Sequence, residues 1–363
     1  MGKGSRGPMT SFALRRPEGQ FDFAALSTFF AGKRVVITGA AGSVGSALAL
    51  KLAKLGCAHL AMLDQFDHGL LEIVEAVKRA APSLQTTEAL CDVRDSGRLD
   101  AWMRRIEPDV VIHSAALKHV HMGERHPIEC VLTNLVGVRN AVSAAANAGA
   151  SHFTLISSDK AAAPTCVMGA TKRLAELFLH GFRLEQPTPM QMKSVRFGNV
   201  LGSQGSVMPR FAAQIEAGGP LEVTHPDMER YFMSSDEAVG LILSVTALEE
   251  EGGYFMEMGE PVSILDLGRE LIGKSGKDID VAFTGLRPGE KLREQLTDAY
   301  DRIAASRLPN VFRIAPKRLD AYMTTADVAH LETVARTMEN AIVRQRVFAH
   351  LDERLGREDR AAG

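Results

Sequence analysis

The stretch Val35-Val36-Ile37-Thr38-Gly39-Ala40-Ala41-Gly42-Ser43-Val44-Gly45 constrains this chain more than any other part of its sequence. An apolar run passes into three glycines spaced three apart, then into Ser46-Ala47-Leu48-Ala49-Leu50, which reads as the start of a helix. A buried strand that turns tightly into a helix offers an anion backbone N–H groups and the positive end of the helix dipole. Glycine lets that backbone approach a pyrophosphate with no Cβ in the way. The pattern gains meaning when an acidic residue follows about twenty positions on. Here Ala58-His59-Leu60-Ala61-Met62-Leu63 is a second apolar run, and it ends at Asp64. Gly39, Gly42, Ser43, Val44 and Gly45 are therefore the expected cradle of a dinucleotide.

From Lys33 onward, short apolar runs alternate with helical patterns at 70–79, 98–106, 129–148 and 169–185. Strand, helix, strand, helix at this spacing predicts an α/β fold with a doubly wound parallel sheet. Residues 1–16 read as a flexible basic tail and 21–30 as a short amphipathic helix, so that 1–32 precede the sheet. The dinucleotide-binding domain is expected over 33–200, with a returning segment at about 231–265. Turn-rich stretches at 201–230 and 266–320 suit a smaller substrate lobe above the carboxyl edge of the sheet. Residues 321–363 read as C-terminal helices.

With 45% hydrophobic and 24% charged residues in 363, the composition is that of a globular protein. A formal net charge of −2 gives no electrostatic reason to expect nucleic acid or an anionic membrane as partner. No apolar stretch approaches the roughly 20 residues that span a bilayer, and the first residues lack the apolar core of a signal peptide. A cytoplasmic location is expected. Cys57, Cys91, Cys130 and Cys166 are far apart, with no metal-ligand spacing, which suits buried thiols in a reducing compartment. No metal is expected.

Asp64, at the end of the second strand, is placed to accept bonds from adenosine ribose hydroxyls and to repel a 2′-phosphate, which favours NAD over NADP. Asp92 and Val93, ending the third strand, are expected adenine neighbours. Ala115 and Ala116 let a cofactor lie close over the fourth. The second cluster is Ser157-Ser158-Asp159-Lys160, followed by Met168-Gly169-Ala170-Thr171-Lys172. An Asp beside a Lys is ordinarily a solvated ion pair, but at a strand end in this sheet it faces the ligand. Lys172 on the next helix can reach ribose hydroxyls and lower the pKa of a neighbouring hydroxyl by its charge.

These residues resemble the extended short-chain dehydrogenases/reductases, a Rossmann-type family. Within them the chain is similar to the polysaccharide-biosynthesis branch, the UDP-N-acetylglucosamine 4,6-dehydratases. The resemblance runs over about residues 20–320. It is carried by Ala115-Ala116-Leu117-Lys118-His119-Val120, Thr133-Asn134-Leu135-Val136-Gly137, Ser158-Asp159-Lys160, Met168-Gly169-Ala170-Thr171-Lys172 and Arg196-Phe197-Gly198-Asn199-Val200. It continues through Thr224-His225-Pro226-Asp227-Met228, Arg230-Tyr231-Phe232-Met233 and Gly285-Leu286-Arg287-Pro288-Gly289-Glu290-Lys291. The chain departs from the branch at His121-Met122-Gly123, where Pro-Leu-Met is common, in a loop near the sugar.

Most extended members carry tyrosine where this chain has Met168, and a thioether is neither acid nor base. The resemblance implies that NAD takes hydride from carbon 4 of the sugar and returns it to carbon 6. The intermediate 4-ketone acidifies the proton on carbon 5. Lys160 is the candidate base, which requires a depressed pKa, and Asp159 the candidate acid for the leaving 6-hydroxyl, which requires a raised one. Ser158 is placed for the 4-hydroxyl and Lys172 supplies charge. Asn134 is implied as a cofactor residue. Lys118, Ser158, Asn199, Val207, Arg230, Arg287 and Glu290 are implied for the UDP-sugar, the two arginines for its diphosphate. A UDP-sugar epimerase is the first alternative, and a cofactor-binding homologue without turnover, motivated by Met168, the second. Helices beside the active-site helix predict a homodimer or higher homo-oligomer.

Overall fold

Parallel strands whose two faces are both covered by helices read as continuous apolar runs. In the computed structural model, which describes Leu14, residues 16–318 and residues 320–356, α1 (Phe23–Phe30) leads into such a strand, β1 (Arg34–Thr38), with its last four residues buried. There follow α2 (Ser43–Leu52), β2 (His59–Asp64), α3 (Asp67–Ala80), β3 (Gln85–Leu90), α4 (Ser96–Ile106) and β4 (Val110–His113). Next come α5 (Val120–Arg125), α6 (Pro127–Val131), a π-helical turn at Leu132–Val136, α7 (Gly137–Asn147), β5 (His152–Ile156), α8 (Val167–Glu185) and β6 (Gln191–Arg196). The second half holds β7 (Asn199–Val200), α9 (Val207–Glu216), β8 (Leu221–Val223), β9 (Glu229–Arg230), β10 (Phe232–Met233), α10 (Ser235–Thr246) and β11 (Gly252–Met256). It ends with β12 (Val262–Ser263), α11 (Ile264–Ser275), β13 (Val281–Phe283), β14 (Asp301–Ala305), β15 (Val311–Pro316), α12 (Thr325–Thr337) and α13 (Asn340–Leu355).

Nine strands form the main sheet in the order β14-β15-β11-β6-β5-β4-β1-β2-β3. β3 through β11 pair in parallel, and β15 and β14 close one edge antiparallel. This is the expected doubly wound α/β fold. The strand order reverses between β1 and β4, where Thr38 lies opposite His113, and ligands bind such sheets outside the carboxyl ends of the strands at that crevice. One core packs α4, α7 and α8 on the sheet, another packs α1, α2, α3 and α10 on the opposite face. A third, smaller core of Phe211, Leu221, Val223, Phe232, Val262 and Leu267 holds a lobe beside the crevice.

Three expectations need correction. Residues 1–13 of the supposed tail lie outside the described residues, but Leu14 is buried in the lobe core. Arg16 pairs with Glu237 at 2.5 Å, and Gly19 donates to the same carboxylate. Glu237 is wholly buried in the capping box of α10 and needs a cation there, so Leu14, Arg16 and Gly19 tie into the lobe core and α10. The helix expected over 129–148 is present and carries the π turn within it, its backbone helical from Pro127 to Asn147, and there buried Asn134 turns its amide to Leu117. Asp67, not Leu70, begins α3. β14 and β15 belong to the main sheet and not to the lobe. α12 and α13 lie against α6 and α8, and bury Val328, Leu331, Val343, Val347 and Leu351 in the core those helices share.

Candidate active site

The glycine turn is shaped by close backbone contact. Gly39 has φ +67°, and a Cβ there would stand 2.5 Å from the Ala115 amide nitrogen, so glycine alone lets the end of β1 lie against the loop after β4. A Cβ at Gly45 would meet the Gly39 carbonyl oxygen. Gly42 is the extended N-cap of α2, and no side chain caps that helix. The first-turn N–H groups of Ser43, Val44 and Gly45 are therefore offered to an anion, as a dinucleotide pyrophosphate requires. Asp64 accepts from the Ala41 amide at 2.9 Å and from the Phe66 amide at 3.0 Å, which seats its carboxylate against the cradle. Ser43 Oγ accepts from the Gln204 amide at 3.0 Å and ties the cradle to the loop after β7. These groups fit a dinucleotide.

Two of the expected cofactor residues have side chains that the fold itself engages. The Asp92 carboxylate is held by the Arg94 amide at 2.9 Å and by Arg94 Nε at 2.7 Å. Burial raises its pKa, and the Arg94 contacts more than reverse that, leaving it below the usual carboxylate range. The side chain is a brace, and neighbouring Val93 is buried against Gly137. Asn134 is fully buried: its Oδ1 accepts from the Leu117 amide at 2.8 Å, and its Nδ2 donates to Leu117 O and Thr171 Oγ1. With both ends engaged, it holds the Ala115–Leu117 loop in place.

The acid–base pair sits on a short 3-10 turn at Asp159–Ala161, N-capped by Ser158. Ser158 Oγ donates to Asp159 Oδ1 at 2.9 Å and so supports the carboxylate. Lys160 Nζ donates to the same oxygen at 3.0 Å. Asp159 is 1% exposed, and its Oδ2 is buried with no hydrogen-bond partner. The expectation of a depressed Lys160 is overturned: burial pulls its pKa down, but the charges of Asp159 and Glu294 outweigh burial and raise it. Lys172 behaves as the buried cation instead, brought to about 8 by desolvation while donating to Ile156 O at 2.8 Å. His113 donates to or accepts from Thr38 Oγ1 at 2.9 Å and is kept neutral by burial, with a pKa of about 3. Met168, at the expected tyrosine position, is buried among Cys130, Cys166 and Val167.

The lobe residues converge unevenly. Arg230 is 8% exposed, donates to Leu292 O at 3.1 Å, and lies near enough to Lys160 to oppose its charge. Glu290 accepts from the Arg287 amide at 3.1 Å. The loop carrying both is pinned to the acid–base turn: Thr165 Oγ1 donates to Gly289 O, and Lys291 Nζ to Ala162 O. Lys118 Nζ donates to Gln204 O at 2.6 Å, next to the cradle. Asn199 pairs by its backbone with Tyr231, and Val207 packs on the lobe core. Glu294 was missed by the sequence reading. It is buried, and its Oε1 lies 3.7 Å from Lys160 Nζ. The only sequence signal was its place three residues after Lys291.

A glycine cradle at a switch point, an acidic residue ending β2 and an acid–base pair ending β5 define an extended short-chain dehydrogenase/reductase. Residues 35–316 match the family model described as polysaccharide biosynthesis protein, and the chain belongs to that family. It is 40% identical over 288 residues to the capsular polysaccharide biosynthesis protein CapD of Staphylococcus aureus, covering 78% of this chain and 48% of that protein. The chain thus spans about half the length of that relative. It is 32% identical over 291 residues to a UDP-glucose 4-epimerase of Rickettsia conorii, covering 78% of this chain and 83% of that protein. Among solved structures, that of Pen from Bacillus thuringiensis superposes with a TM-score of 0.73 at 30% identity, over 80% of this chain and 89% of that one.

Among the described residues no helix is long and apolar enough to cross a membrane.

Proposed function

We propose that this chain is an NAD-dependent 4,6-dehydratase acting on UDP-N-acetylglucosamine in the cytoplasm. The observation that carries the reading is the Asp159–Lys160 pair in direct contact at 3.0 Å, with an apolar Met168 nearby on the next helix. Elimination of water across carbons 5 and 6 needs a base and an acid together, whereas inversion at carbon 4 needs one group to shuttle the hydroxyl proton.

The cradle of Gly39, Gly42, Ser43, Val44 and Gly45, with Asp64 and Ala116, would hold NAD, whose bound nicotinamide takes a hydride from carbon 4 and gives it back to carbon 6. The chain's residues must then move protons. Lys160 begins as an ammonium, so its proton passes first to Asp159, giving amine and carboxylic acid. Exclusion of water by a bound substrate favours this exchange, because two charges in a low-dielectric site become none. The amine takes the carbon 5 proton and the acid protonates the leaving 6-hydroxyl, which departs as water; the lysine then returns a proton to carbon 5. The proton of the 4-hydroxyl passes onward through Ser158 to solvent, with the Lys172 charge favouring its departure, and the lysine amine takes a proton back from solvent when the product leaves. Arg230 and Arg287 would meet the diphosphate, Glu290 and Asn199 the uridine side, Lys118 the space between sugar and cofactor.

NMR of the product formed from UDP-N-acetylglucosamine with NAD tests the reading. A 4-keto-6-deoxy sugar supports it, and an inverted 4-hydroxyl alone supports the epimerase reading that the 32% identity to the Rickettsia conorii protein favours. Lys160→Ala at near wild-type turnover would sink the assigned base.

A further inference from the structure

We propose that Glu294 is a positioning residue for the acid–base pair: its carboxylate holds the Lys160 ammonium from the lobe, as Asp159 holds it from the sheet, and so governs when the lysine releases its proton. This rests on Lys160 acting as the base. Glu294 side chain is 3% exposed and that of Lys160 16%. Oε1 of the glutamate stands 3.7 Å from Lys160 Nζ, against 3.0 Å for Asp159 Oδ1. A carboxylate this deeply buried is costly unless a cation answers it. The second cation at hand, Lys291, is 3.6 Å from Oε2 and already donates to the Ala162 carbonyl. Glu294 Oε2 itself is buried with no hydrogen-bond partner, so hydrogen bonding within the fold does not account for it.

The location gives the contact its meaning. Glu294 follows directly on the loop bearing Arg287 and Glu290, and that loop is pinned to the acid–base turn through Gly289 and Lys291. The nucleotide-binding side of the lobe therefore reaches the lysine through one carboxylate. The charged groups around Lys160 are Asp159 and Glu294, which favour the ammonium, and Arg230, which opposes it. The Cys166 thiol also lies within electrostatic reach, and burial pushes its pKa up to about 11, so it stays neutral. A neutral amide in place of Glu294 removes one of the two stabilising charges, and the lysine then loses its proton at lower pH.

The test is the pH profile of kcat for the whole chain on UDP-N-acetylglucosamine with NAD, compared among wild type, Glu294→Gln and Glu294→Asp. The amide variant is expected to move the alkaline limb, where the pair loses its one proton, down by about one pH unit, with KM close to wild type. The aspartate variant, which keeps the charge, returns the limb toward its original position. In parallel, acetylation of Lys160 by acetic anhydride is followed against pH by peptide mass spectrometry, which needs no turnover. A midpoint that falls in Glu294→Gln and recovers in Glu294→Asp supports the proposal even if this sugar is not the substrate. Coincident labelling midpoints in all three proteins overturn it, and so does a limb that stays in place while only thermal stability drops.

Discussion

Two clusters of buried carboxylates and cations lie a few residues apart in this sequence, and they are built to opposite ends. In the first, Arg196 reaches Glu176 through Nε and Nη2 at 2.8 and 2.6 Å, and Asp301 through Nη1 at 2.7 Å. Arg173 binds the same two carboxylates, and Ser157 Oγ donates to Glu176 at 2.6 Å. In the second, Asp159, Lys160 and Glu294 share one short contact, and each carboxylate keeps a buried oxygen with no hydrogen-bond partner. The first cluster joins α8, β6 and β14 and has fixed guanidinium geometry. The second uses a lysine, a compact charge that can lose its proton. Fully partnered carboxylates mark the cluster that supports the fold, although Arg173 Nε is buried there without a partner, and open carboxylate oxygens mark the one expected to work on a ligand.

The comparison breaks most readily at Lys160. Lys160→Arg keeps a cation beside Asp159 but never supplies a neutral base, since the guanidinium stays charged. Turnover is expected to fall roughly a thousandfold or more, while the melting temperature stays near wild type. Turnover kept by the arginine variant would place the base elsewhere. Arg196→Met should do the reverse. It strands Glu176 and Asp301 without their shared partner and is expected to cost about 3 kcal/mol or more by denaturant unfolding. Replacement at little cost would mean that Arg173 alone suffices for both carboxylates.

Asp64 stands between the two cases: both its oxygens are partnered, yet only by loop amides at the ligand edge. Asp64→Asn is expected to weaken NAD binding about tenfold or more, by the worth of hydrogen bonds to a charged group, and to narrow the preference over NADP. Titration with both cofactors measures it. An unchanged ratio would remove Asp64 as the discriminator.

What could be read from the chain beforehand follows the same division. The cradle was legible because its demands are local: a Cβ at Gly39 or Gly45 strikes backbone within the motif or in the next strand's loop. The Asp159–Lys160 contact was legible because the two are neighbours. Their charge states were not, since Glu294 and Arg230 come from a lobe more than 70 residues further along the chain. The fold contacts of Asn134 and Asp92 were illegible for a related reason. A motif reveals a polar residue but not which backbone amide or arginine will engage it. The C-terminal helices gave no hint that they would cover α6 and α8, because a helical pattern shows an apolar stripe without naming what it packs on.

The smallest effect concerns a buried cation with no carboxylate. Lys193, 1% exposed on β6, donates among the described residues only to the Thr246 carbonyl at 3.2 Å. Desolvation lowers its pKa from 10.5 to about 8. Between those values the unfolded chain binds more protons than the folded one, so stability rises with pH across that window and the burden is full below it. Lys193→Met keeps the apolar stem and removes the charge, and is expected to raise stability by about 1 kcal/mol at neutral pH. It should also flatten the rise between about pH 8 and 10.5, leaving the share due to Lys172, which titrates in the same range. Denaturant unfolding at several pH values measures both. A loss of stability instead would mean that the bond to the end of α10 outweighs the cost of burying the charge, and that a lone carbonyl can settle a cation as well as the carboxylates of the closed cluster do.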